Sequence, residues 1–356
     1  MKHSLPMEDR PRVRLGLIGC GEHATSVLHN AVGFIDDFHV VGVCDPDAGR
    51  AQAAARRFGL SEYHDSHESL LKEARPEAVL LVTYPGLQPK LANTLLQAGV
   101  HVYVEKPIVM SEDDAETLRQ TVSDHPALIA AVSFNKRFSA HYRRVREITC
   151  GEGFGTPNYF HFRFAGGHRA KTWDLLAVGA IHGFDMARTM MGEIEEVSAY
   201  LVELAEGQAD ISANVRFRSG AIGQFFLSSM GFWSAKGAEH MEIRSNQNVV
   251  TLENHRQLTW QGPPLDKSAS DTTQMQKETP SFAQYLEPNY SNISAPEFQS
   301  IAQNGYLQPL QAFAEDILSG SRRLPTLEDG IAALNIATAI DQSMRDGGRP
   351  LRVATV

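Results

Sequence analysis

Six residues near the start of the chain carry the first chemistry. Gly19-Cys20-Gly21-Glu22-His23-Ala24 follow the apolar run 15–18 and open a stretch of helical composition. Gly19 admits a tight strand-to-helix turn, Gly21 lets the backbone approach a pyrophosphate with no Cβ in the way, and small Ala24 lets the helix close on the strand. The first amides of that helix then face the phosphates, with Glu22 and His23 in the same cradle. About 20 residues further on, Asp45 ends the next apolar run, where a carboxylate accepts both hydroxyls of an adenine ribose and repels a 2′-phosphate. Asp47 adds to the repulsion and Arg50 opposes it. The constellation predicts a dinucleotide site that prefers NAD to NADP.

A second group sits at Glu105-Lys106-Pro107, where the run 100–104 ends. Proline fixes the turn and leaves the lysine at the carboxyl edge of the sheet, the edge at which cofactors bind in such folds. By itself the tripeptide reads equally as a solvated turn lysine with Glu105 as its surface partner. Taken with Gly19 to Ala24, Asp45, Thr83, the segment 98–107, Asn135-Lys136-Arg137 and His182-Gly183-Phe184-Asp185, the chain resembles the Gfo/Idh/MocA oxidoreductase family over nearly all its length. The resemblance implies a Rossmann domain followed by a domain built on an open, mostly antiparallel sheet. It also implies NAD(P)-dependent dehydrogenation of a sugar, inositol or related polyol. Lys106 would stand beside the nicotinamide and the substrate hydroxyl as acid and base, its pKa lowered by the cationic ring and by partial desolvation. Glu105 would orient it by a charge-assisted hydrogen bond. Thr83 and Tyr84 would wall the nicotinamide, Tyr84 and Gln88 being departures from the Thr-Pro and histidine of relatives. Asn135 and Arg137 follow the fifth strand, in reach of the nicotinamide carboxamide or a substrate oxygen.

His182 lies on a helical stretch, 173–191, whose Leu176, Ile181, Phe184, Met186 and Met190 form an apolar face. Alone it reads as a core histidine; the resemblance gives it a share in the proton transfer. Relatives carry an aspartate one turn earlier, and here that place holds Val178. Asp174, two turns back, is rotated by about 80° in a regular helix and does not obviously replace it. Asp185 shares a face with His182, either fixing its tautomer or serving helix packing. A two-residue relay of Lys106 and His182 is therefore expected. Trp173, with His168 and Arg169 in the preceding glycine loop, forms a candidate substrate rim. Tyr142, one helical turn further on than Arg137, belongs to the same candidate pocket. His161 and Arg163 alternate against Phe160, Phe162 and Phe164, so they either reach substrate or line an open sheet face used for subunit contact.

These groups need elements to position them. Apolar runs at 15–18, 40–44, 78–83, 100–104 and 128–134 alternate with helical patterns at 24–34, 49–58, 66–72, 88–98 and 111–122, the signature of a doubly wound parallel sheet. Longer alternating runs at 158–164, 195–204, 209–217, 221–229, 238–244 and 249–253, with turns such as Arg218-Ser219-Gly220, imply hairpins. The fold expected is α/β: a Rossmann domain at 13–134, then an α+β domain for substrate and oligomerisation at 135–356. The second contains an aperiodic insert, 261–303, and closing helices within 306–345.

The 356 residues carry a net charge of -9, which gives no footprint for nucleic acid. No apolar run is long enough to span a membrane. Three scattered cysteines argue against disulfides and zinc ribbons and, with a polar start lacking a signal peptide, point to the cytoplasm. No HExxH or paired His/carboxylate motif calls for a metal. Apolar residues on both sides of the second sheet predict a homodimer or homotetramer through it. Two rival readings stand beside the dehydrogenase: a non-catalytic NAD-binding regulator of the same fold, and a reductase of a non-sugar substrate.

Overall fold

The structure is a computed structural model that describes residues 11–231, 238–255, 257–262, 283–286 and 301–356. Valine- and leucine-rich runs form β1 (Val13–Ile18), β2 (Phe38–Cys44), β3 (Ala78–Leu81), β4 (His101–Val104) and β5 (Ala130–Val132). They pair in parallel in the order β2-β1-β3-β4-β5. Side chains on both faces are buried, Leu15, Leu17, Val79, Leu80 and Val102 among them, as expected of a sheet covered by crossover helices. Side-chain caps set helix starts: Asp47 accepts from the amide of Arg50 ahead of Ala48–Arg57, and Ser111 from that of Asp114 ahead of Glu112–Asp124.

The chain divides into two compact units, Met1–Phe138 with Ser300–Leu334 and Val356, and Ser139–Gln299 with Asn335–Thr355. In this division the closing helices do not fall within one unit. Helix Leu307–Ser319 turns Leu310, Phe313 and Ala314 into the core built by Leu15, Leu17 and Tyr103, with the Phe313 and Tyr103 rings 5.6 Å apart. Its apolar stripe is complementary to a surface made some 200 residues earlier, a pairing that sequence order conceals. Helix Leu327–Arg345 runs from residues of the first unit into residues of the second.

The second unit is organised on a nine-stranded sheet. Its strands are β6 (Tyr159–Ala165), β7 (Ile194–Ala205), β8 (Gln208–Phe217), β9 (Ile222–Ser228), β10 (Glu239–Ser245), β11 (Asn248–Glu253), β12 (Gln257–Gly262), β13 (Ala283–Leu286) and β14 (Leu351–Arg352). The order is β13-β12-β11-β10-β6-β9-β8-β7-β14, antiparallel throughout except where β6 and β9 run parallel. One face of β6 and β9 is aromatic: Phe160, Phe162 and Phe225 interlock, and Phe184 of helix Ile181–Met191 meets Phe225 edge-on at 5.1 Å. Gly183 permits this packing, since a Cβ there would strike the Phe162 ring. Within the insert read as aperiodic, β12 and β13 pair, with Trp260 opposite Tyr285. The rest of that insert, 263–282 and 287–300, lies outside the described residues. Among the described residues no helix is long and apolar enough to cross a membrane.

Candidate active site

In the first unit, the residues expected to hold a dinucleotide gather at the carboxyl ends of the parallel strands. Gly19 has φ of 96°, and a Cβ there would be driven into the carbonyl oxygen of Val82 on leaving β3. Only glycine fits. At Gly21 a Cβ would meet no atom within 4 Å, so the turn keeps an open approach to its backbone. Ala24 is 1% exposed and begins the helix, as a small residue closing on β1 should. Asp45 is buried at the end of β2. Its Oδ2 accepts from the Cys20 amide at 2.8 Å and its Oδ1 from the Asp47 amide at 2.9 Å, while Arg50 lies 3.2 Å from Oδ1. An ionised carboxylate has about four acceptor sites, so Asp45 retains capacity for a ribose hydroxyl, and half-exposed Arg50 is the partner able to swing away. An anchored acid, an open glycine backbone and helix-start amides fit NAD. Cys20 and Cys44 lie beside this site, but burial, with Asp45 next, pushes both thiols up to about 12, which leaves them unreactive.

Lys106 follows β4 in a turn braced from three sides. Glu105 is 5% exposed; it accepts from the Ser133 hydroxyl at 2.7 Å and the Lys106 amide at 3.0 Å, and lies 3.4 Å from Nε2 of His23. Burial raises the Glu105 pKa, but His23, Lys106 and Ser133 together outweigh it and hold the carboxyl below its usual range. By accepting from the Lys106 main-chain N–H, Glu105 helps to set the turn. Gln88, a departure in the sequence, is buried and donates to the Pro107 carbonyl at 3.0 Å across the cis Lys106–Pro107 peptide. His23 also packs edge-on against Tyr306 at 5.9 Å.

The remaining first-unit candidates divide. Thr83 ends the run of β3, and Tyr84 beside it is 76% exposed. Asn135 is buried and donates from Nδ2 to the carbonyl of Asn304 at 2.6 Å, with its Oδ1 left without a partner. Arg137 is committed to Asp329 by a fork of 2.8 and 3.3 Å, which ties it to the helix at 327 rather than offering it to a nicotinamide. Neighbouring Lys136, which the sequence reading passed over, is buried. Ser133 and the Glu105–His23 contact were likewise missed. The glycine motif hints that residue 23 is near a site, but no local signal marks Ser133.

In the second unit, His182 is partly exposed on helix Ile181–Met191. The turns before it, Leu175–Ala180, are widened to i→i+5 bonding, so the regular 100° step does not apply between Asp174 and His182. Asp174 instead accepts from the Lys171 amide at 3.2 Å and caps the helix. Asp185 is 0% exposed, so it reaches a substrate only through a neighbouring group. Trp173 is half-buried in the first helical turn. Arg163 alternates away from the Phe162 face that carries the helix and lies 3.8 Å from Glu253, on the opposite side of the sheet from His182. His161 shares that side, its ring 5.5 Å from that of His240. Tyr142 is buried, its hydroxyl donating to Glu239, which also lies 2.9 Å from His255.

Two sequence profiles match the chain: "Oxidoreductase family, NAD-binding Rossmann fold" over residues 13–133 and "Oxidoreductase family, C-terminal alpha/beta domain" over 151–353. The chain is 25% identical to the myo-inositol 2-dehydrogenase of Thermotoga maritima, the match covering 94% of this chain and 97% of that one. It is also 25% identical to the NAD(+)-dependent scyllo-inositol 2-dehydrogenase of Bacillus subtilis, over 94% and 95% respectively. An oxidoreductase of Agrobacterium radiobacter, solved in complex with NAD+, L-tartaric acid and magnesium, superposes with a TM-score of 0.79 at 18% identity, covering 96% of this chain and 98% of the other. That likeness shows the fold.

Proposed function

Because the chain belongs to the Gfo/Idh/MocA family of NAD-binding oxidoreductases, we propose that it moves a hydride between nicotinamide and a carbinol carbon of a sugar, inositol or related polyol. Relatives named as inositol dehydrogenases support the polyol class. The observation that carries the reading is the Lys106 turn: a lysine at the carboxyl end of a Rossmann strand, its main chain fixed by buried Glu105 and Gln88. NAD, when bound, supplies the hydride acceptor. Lys106 takes the hydroxyl proton as oxidation proceeds and returns it in the reverse direction. His182 holds the reacting oxygen or shares that proton. No carboxylate stands at Val178, so the relay has two members.

The test is a spectrophotometric screen of inositols, sugars and sugar acids with NAD and NADP, read at the reduced-nicotinamide absorbance. Lys106→Ala is expected to lose at least about 10²-fold in kcat while NAD still raises the melting temperature as in the native chain. Full turnover in that variant would demote the lysine to a turn residue. Undiminished NAD binding with no turnover of any substrate would favour the regulator.

The same reading includes a homodimer or homotetramer. On one face of the second sheet Tyr200, Val202, Leu204 and Ile222 are each more than half exposed, at 60%, 59%, 71% and 57%. Three of them line β7 and Ile222 lies two strands away on β9; exposed apolar residues on such a sheet face fit a self-complementary interface. Light scattering at micromolar concentration should return at least twice the monomer mass; a monomer would overturn the assembly.

A further inference from the structure

Arg169 lies in the loop between β6 and the helix of His182. Its guanidinium sits against two glycines. A Cβ on Gly166 would come within 3.2 Å of its Nη2, and one on Gly179 within 3.5 Å of both Nε and Nη2. The ring of Phe164 fills the same space, 3.0 Å from where a Gly179 Cβ would stand. Behind it the main chain is pressed by a third glycine: a Cβ on Gly207, whose φ is 73°, would collide with the Arg169 carbonyl. The loop and the side chain are therefore held in place by absent side chains on three segments. Such a site is prearranged rather than assembled on binding.

What this holder presents is an unanswered charge. Arg169 is partly buried, and its Nε is buried with no hydrogen-bond partner. Among the described residues no carboxylate makes an ion pair with it; Asp174 favours its charge from further away and gives an acceptor to the Lys171 amide instead. A half-buried guanidinium ordinarily finds a carboxylate, because desolvated charge left unpaired is costly. Gly179, against which it rests, precedes His182 by three residues, and between Asp174 and Asp185 the helix bears no acidic side chain. The chain as a whole is at -9, so an anionic ligand gains nothing from the general field and depends on a local cation.

Resting on the polyol-dehydrogenase reading above, we propose that Arg169 receives the carboxylate of the substrate, which is therefore a sugar acid and not a neutral sugar or inositol. The guanidinium takes the carboxylate as a fork, which supplies affinity and fixes which hydroxyl is turned toward the reacting groups. The turn before His182 is free of acid, so nothing there repels such a substrate.

The test uses pairs that differ only in the acid group: D-galacturonate against D-galactose and D-glucuronate against D-glucose, with NAD, for the native chain, Arg169→Met and Arg169→Lys. In the native chain at least one acid should exceed its neutral partner by about tenfold or more in kcat/KM. Arg169→Met should erase that advantage, the acid losing about tenfold or more in kcat/KM relative to its neutral partner and chiefly through KM, and should abolish the rise in melting temperature that the acid produces. Arg169→Lys should restore part of it. A neutral sugar preferred by the native chain, or an acid preference that survives in Arg169→Met, overturns the assignment while leaving the dehydrogenase intact. Failure of all substrates, with NAD bound, brings down the dehydrogenase reading and this one with it.

Discussion

The dinucleotide cradle with the Lys106 turn and the Arg169 loop are both charged and both shaped by glycines, yet they treat their charges in opposite ways. In the first unit Asp45 is met by two amides and Arg50, and Glu105 by a hydroxyl, an amide and His23. In the second, Arg169 is held from three sides without an ion pair. A cofactor cradle that must take the same molecule at every turnover is completed by the protein itself. On the proposed reading, the Arg169 loop is complete only when a ligand supplies the missing partner.

Breaking the cofactor side should therefore cost the fold as well as binding. Gly19→Ala is expected to have the largest effect, since its Cβ would enter the Val82 carbonyl at a φ of 96°. A loss on the order of 3 kcal/mol, read from urea midpoints, is the expectation; an unchanged midpoint would show that the turn can rearrange.

His29 comes next. It is 1% exposed on the helix after the glycine turn, and burial, with Arg57 nearby, pushes its pKa from 6.5 down to about 4. Because the folded pKa is the lower one, the unfolded chain takes up the proton first. The stability contributed by neutral His29 is complete above pH 6.5 and is lost as pH falls toward 4, up to about 3 kcal/mol. His29→Leu should show a smaller fall in urea midpoint between pH 7 and pH 4.5 than the native chain, and an identical fall would remove His29 from the acid limb.

The smallest effect is the most specific. Asp45→Ala should weaken NAD about tenfold and erase its advantage over NADP, since one charge-assisted contact is worth about 1.5–3 kcal/mol before Arg50 is released to meet a phosphate. A calorimetric titration that finds the preference intact would move the selectivity elsewhere.

Much of the first unit was legible because its signals are local. Gly19, Asp45 and the Glu105-Lys106-Pro107 turn each follow a strand within a few residues, and the strand's own apolar run announces it. The second unit resisted where the answer depends on what lies across the sheet. Alternation separates Arg163 from Phe162, but only the seating of Gly183 on Phe162 tells which side faces His182. Tyr142 looked like a pocket residue from its distance to Arg137, and its burial against Glu239 depends on a strand about 100 residues later.

The sequence by itself determined the class of fold, the dinucleotide turn, the acid after the second strand and the lysine at the sheet edge, since these rest on backbone requirements and period-two or helical spacing that each segment states alone. Tertiary structure alone decided which charges are answered. It gave Glu105 to a main-chain amide and Ser133, tied Arg137 to Asp329, returned helix Leu307–Ser319 to the first core and left Arg169 in its glycine slot. Pairing of polar groups is a matter of distance in space, and a linear chain does not order its residues by that distance.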